Sequence, residues 1–134
     1  MKRTVFFAAL ALVLGAVTPV VAHHSVIAYF DIKKDVVLKG EVDEWVFKAP
    51  HAVLKFVVKN DQGQLELWRA ETLPSNLLFR KGWRFNTLKR GDPVTVYGHP
   101  SIDVSRHAMA LTKIVLGNGE ELDPMKPIQA PAAE

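Results

Sequence analysis

Between Val36 and Phe47 the chain alternates in a way that leaves few folds open. Val36, Leu38, Gly40 and Val42 share one face, and Lys39, Glu41 and Asp43 share the other. That is the two-residue period of a half-buried strand. The alternation then slips, with Trp45 and Phe47 apolar and Glu44 out of step. A one-residue slip predicts a β-bulge, which bends the strand, and a long bent strand is what a small barrel needs in order to close.

The rest of the chain supplies partners for it. Ala49-Pro50-His51 makes a first turn, since Pro50 has no N–H to give to a ladder. A second strand runs from Ala52 to Lys59, with Leu54, Phe56 and Val58 on one face. Asn60-Asp61-Gln62-Gly63 is a hairpin connection with Gly where positive φ is wanted. A third strand spans Leu65 to Thr72. Leu73 to Gly82 reads as a short helix, with Pro74 near its start, Arg80 and Lys81 in its last turn and Gly82 to end it. Pro93 to Gly98 and His107 to Leu116 are the fourth and fifth strands. The pattern predicts a mainly β fold, a small five-stranded OB-like antiparallel barrel with one short helix between strands 3 and 4. A small antiparallel sandwich is the competing architecture. Leu38, Val42, Leu54, Phe56, Val58, Val94 and Val96 are expected to share one core.

The N-terminus has the three-part layout of a secretory signal: Met1-Lys2-Arg3, an apolar run from Val5 to Leu14, and small residues ending at Ala22. Gly15 and Pro19 break the run, which is shorter than the ~20 apolar residues of a membrane span. The expected organisation is a signal peptide over 1–22 cleaved after Ala22, one barrel domain over 23–122, and a disordered Pro/Ala-rich tail over 123–134. The product is expected to be periplasmic or secreted, with no membrane span after cleavage. Of the 17 Lys and Arg, two lie in the signal, which leaves 15 against 14 Asp and Glu. A nearly neutral domain argues against nucleic acid as a partner. Cysteine is absent, which excludes disulfides, cysteine–zinc sites and thiol catalysis.

Several pieces occur in a fixed order: Ala22-His23-His24-Ser25, Leu38-Lys39-Gly40-Glu41-Val42, Pro50-His51-Ala52, Trp68-Arg69-Ala70-Glu71, Leu77 through Trp83, and Leu88 through Val96. As an ordered set they resemble a family of small exported bacterial proteins called domain of unknown function 6152, over His23 to about Leu122. This chain has Ala49 where the family usually has Asn, Phe47 where it has Trp, and His107-Ala108-Met109 where it has Asn-Ala-Arg. The resemblance implies an exported, cofactor-poor small β protein and no established activity.

The five histidines, His23, His24, His51, His99 and His107, are the one set of residues with metal chemistry. Cleavage after Ala22 makes His23 the first residue, whose α-amine and Nδ1 chelate one metal together. A second imidazole completes a histidine brace, and planar nitrogen ligands favour Cu(II). His51, at its Pro-fixed turn, is the natural partner and His24 the alternative. The copper site expected on this reading comprises His23, His24 and His51. The plain alternative is a pair of solvated N-terminal histidines, with His51 hydrogen-bonded to a backbone carbonyl. His99 and His107 read as ordinary surface residues.

Trp68 reads as core or half-buried wall, and Glu71 as an ion-pair partner of Arg69 or Arg80. Arg80-Lys81-Gly82-Trp83-Arg84 mixes basic and aromatic residues as single-strand nucleic-acid surfaces do, and also as an amphipathic helix end does. No Ser elbow, phosphate loop or helical His pair is recognised. The chain therefore reads as a binding or interaction module for a periplasmic protein or small ligand, with a copper-binding protein as the alternative.

Overall fold

The computed structural model describes residues 26–128. Its elements are α1 (Val26–Tyr29), β1 (Val36–Val46), β2 (Val53–Lys59), β3 (Leu65–Glu71), α2 (Ser75–Arg80), β4 (Pro93–Pro100), β5 (Ala108–Leu116) and the two-residue β6 (Glu121–Leu122). The first half of β1 pairs with β4, Val36 to Glu41 against Gly98 to Pro93. Its second half pairs with β2, from Gly40 opposite Val58 to Val46 opposite Val53. One strand can serve both neighbours because it bends. The register jumps from Val42↔Phe56 to Glu44↔Lys55 and leaves Asp43 as the extra residue, where the sequence alternation slips.

β2 pairs with β3, β4 with β5, and β3 with β5, so five strands close into an OB-like barrel with α2 between β3 and β4. The closing pair corrects one expectation. Arg69 to Glu71 run parallel to Ala108 to Ala110, so the barrel is mixed and not wholly antiparallel. The cause is parity: directions that alternate around five strands must repeat once at closure.

The interior is filled. Leu54, Phe56, Leu78, Trp83, Val96, Met109 and Ile114 are all fully buried. Val42, Val58 and Val94 join them, and Leu38 packs partly buried against the cluster. Hence the alternation expected for the core is the one observed. Gly40 sits where β1 crosses β2 so closely that a Cβ would meet the Val57 carbonyl oxygen at 2.3 Å. α2 plugs the barrel with Leu78, and Gly82 ends it at φ +95°. Trp83 follows beneath Trp45, ring centroids 5.7 Å apart, and the Trp45 indole N–H donates to the Arg84 carbonyl at 3.0 Å.

Two segments lie outside the barrel proper. After α1, Phe30 forms an antiparallel bridge with Ser101, and Asp31 N–H donates to Pro100 O at 2.9 Å, which straps the N-terminal side to the end of β4. At the other end, residues 123–128 differ from the expected disordered tail. Pro124 is buried, Ile128 N–H donates to Lys81 O at 2.7 Å, and Lys81 Nζ donates to Met125 O at 2.7 Å. The folded domain therefore continues to Ile128 and not only to Leu122. Among the described residues no helix is long and apolar enough to cross a membrane.

Candidate functional site

The turn that carries His51 is built by a cis Ala49–Pro50 bond and pinned by Ala52, which donates to Leu73 O at 3.1 Å and accepts from Thr72 N–H at 3.0 Å. The exposed His51 ring places Nδ1 3.1 Å from the Thr72 carbonyl oxygen. A carbonyl only accepts, so Nδ1 is the donor, a tautomer in which the Nε2 lone pair is the one that can bind a metal. A carbonyl holding one ring nitrogen while the other faces outward is the usual outer-shell arrangement of a metal-ligating histidine. It is equally the carbonyl hydrogen bond of the plain alternative. His23 and His24 lie outside the described residues. Among the described residues no three His, Asp or Glu side chains converge as a metal would require.

His99 and His107 are both more engaged than surface residues. His99 Nδ1 lies 2.9 Å from Lys34 O and 3.2 Å from Asp35 Oδ1, so it clips the 31–35 turn to β4. His107 stacks on Trp68, with centroids 5.1 Å apart and planes 13° from parallel. Its Nε2 faces Glu66 Oε2 at 3.9 Å, an ion-pair distance and not a hydrogen bond.

Around that stack lies the best-organised polar cluster on the described surface. Glu66 and Trp68 are two apart on β3 and so share a face. The Trp68 indole N–H donates to Glu66 Oε2 at 3.1 Å, and Asn60 Nδ2 donates to Glu66 Oε1 at 2.9 Å. Asn60 also builds the hairpin turn, its side-chain oxygen accepting from the N–H groups of Gln62 and Gln64. These contacts hold the Glu66 carboxyl below its ordinary range. The Asn60 hydrogen bond contributes most, then that of Trp68, with the charge of His107 adding and desolvation opposing. Trp68 is thus a half-buried wall with its N–H committed. Glu71 forms no ion pair with Arg69 or Arg80 among the described residues, because on β3 it stands beside Val53 and Ala110.

The cluster sits where β3 leaves the barrel. β3 pairs with β2 along its whole length, but with β5 only from Arg69 onward. Arg69 N–H donates to His107 O at 2.9 Å. By the alternation of the ladder, the N–H and C=O groups of Leu65 and Leu67 point to the same side, where no strand lies among the described residues. Their side chains are 73% and 51% exposed. Sequence reasoning missed this edge, although Glu66 and Trp68, two apart beside an exposed leucine pair, were its visible signal. The Arg80–Arg84 segment is not a stacking platform, since Trp83 is buried.

The model of a family of unknown function (DUF6152) matches residues 11–110. No curated protein and no solved structure matches the chain.

Proposed function

The chain belongs to that family of unknown function, and from this premise we propose that it is an exported, periplasmic interaction module that captures an extended segment of a partner protein along the free half of β3. The observation that carries the reading is the edge over Leu65 to Leu67, which has no partner strand among the described residues. A filled barrel leaves ligands to its outside, and an edge strand offers unpaired N–H and C=O groups to an incoming strand. Leu65 and Leu67 supply apolar contacts on one face. Val57 lies beside Leu67 in register, above an open groove also lined by Lys39, Lys59, Leu65 and Arg90. On the other face, the Glu66–Trp68–His107 cluster gives a rigid polar stop. Backbone pairing supplies affinity, and the alternating side chains supply selectivity.

The test is photocrosslinking in cells that export the chain, with a photoreactive residue at Leu65 and a control at Glu120. The reading expects a discrete adduct at position 65 that Leu67→Pro removes. Proline there deletes an N–H that faces the free edge, so the β2 ladder stays intact. An adduct that survives Leu67→Pro, or appears equally at position 120, contradicts strand capture.

A second reading, copper binding through His23, His24 and His51, is favoured by the outward Nε2 of His51 and its carbonyl anchor. Its test is Cu(II) titration of protein that begins at His23. The reading expects His51→Ala to weaken binding strongly and His99→Ala to leave it unchanged, with affinity falling as acid protonates the imidazoles. If His24→Ala abolishes binding and His51→Ala does not, the copper is held by a peptide chelate alone.

A further inference from the structure

From Thr72 to Gly91 the chain carries five basic residues (Arg80, Lys81, Arg84, Lys89 and Arg90) and no acidic one. Only Arg90 meets a carboxylate among the described residues, Asp43 at 2.7 Å. α2 and the turn after it fold this stretch over one end of the barrel, with Leu78 and Trp83 directed inward. The outward side keeps large apolar groups in solvent, since Phe79 is 55% and Phe85 77% exposed. The Arg84 guanidinium lies 4.0 Å over the Phe79 ring, and its Nη1 donates to the Phe79 and Trp83 carbonyls at 3.0 and 2.8 Å. The arginine is therefore fixed beside the ring. Met125, also exposed, joins the face through its carbonyl bond to Lys81. Asp123, on the segment that bonds to Lys81, pairs with Lys126 at 3.1 Å and also feels the charge of Lys81.

We propose that this face docks onto an anionic lipid surface. Charge complementarity selects the occupant: Arg84 lies over the exposed Phe79, Arg80 and Lys81 follow Phe79 in the chain, and the exposed Phe85 follows Arg84. Basic side chains meet headgroup phosphates, while aromatic rings enter the interface between headgroups and acyl chains. The face is separate from the β3 edge, so neither proposal depends on the other.

The chain has no cysteine, so a single Asn86→Cys carries an environment-sensitive fluorophore next to Phe85, and an Asp61→Cys control carries it on the β2–β3 turn. The full chain is mixed with vesicles of phosphatidylglycerol and phosphatidylcholine, or of phosphatidylcholine alone. The local shift is the readout, because the apolar run near the N-terminus adds binding of its own. The proposal expects a blue shift at position 86 on anionic vesicles and none at position 61. It expects partitioning at least about 30-fold weaker after Arg80→Glu with Lys81→Glu, and loss of the shift after Phe79→Ser with Phe85→Ser. Screening by 0.5 M salt, on the otherwise unaltered labelled chain, checks the same point without a charge substitution. Equal shifts at both positions, or an unaltered shift after charge reversal and in salt, overturn it. A response to soluble heparin but to no vesicle also overturns it, and makes the face a site for polyanions instead.

Discussion

Phe56→Ala tests the packing on which the rest of the account stands. Phe56 is fully buried on β2, opposite Val42 on one side and Trp68 on the other. An aromatic side chain buries at least ~150 Å², which at about 25 cal/mol per Å² is about 4 kcal/mol of transfer free energy. Alanine keeps part of that. The cavity adds to the loss, because hydrogen-bonded strands on both sides resist collapse around it. The expected cost is therefore about 3–5 kcal/mol, a large part of the ~5–15 kcal/mol that holds a small domain together. Urea unfolding followed by tryptophan fluorescence measures it, with Trp68 as the neighbouring reporter. Phe85→Ala, at 77% exposure, is the control and should change stability by no more than about 0.5 kcal/mol. A loss below about 1 kcal/mol for Phe56→Ala would refute the placement of β2 in the core.

Gly40→Ala should destabilise by about 1–3 kcal/mol, because its Cβ would meet the Val57 carbonyl oxygen at 2.3 Å; urea unfolding at the wild-type midpoint would show that the β1–β2 crossing is looser than described. The Glu66 carboxyl, depressed in the folded state, contributes stability that is complete above its ordinary value of 4.5 and is lost as pH falls through the lower folded value. Glu66→Gln should flatten the pH dependence of unfolding in that acid window, and an unchanged slope would mean that the Asn60 and Trp68 bonds do not form in solution.

The strands were legible because one face of each is buried and the period of two shows through. The bulge at Asp43 was legible for the same reason, since it displaces Trp45 and Phe47 from the alternation. Parallel closure of β3 on β5 was less visible: only three residues of each strand take part, and the alternation within a strand carries no direction. The Glu66–Trp68–His107 cluster joins two strands about forty residues apart, and His107 stands just before β5, where strand periodicity no longer places it. Glu66, two residues before Trp68, shares its face of β3, whereas Glu71, three after it, points to the opposite one. Pro124 and Ile128 were concealed by composition, because a Pro-rich segment reads as disorder until a neighbour such as the α2 end buries it.

Both the interaction reading and the copper reading stand on export, and the first residue of the chain recovered from the periplasm tests that most directly. The account predicts a periplasmic protein that begins at His23, with residues 1–22 removed. A chain that stays in the cytoplasm with Met1 or Lys2 at its start would contradict it.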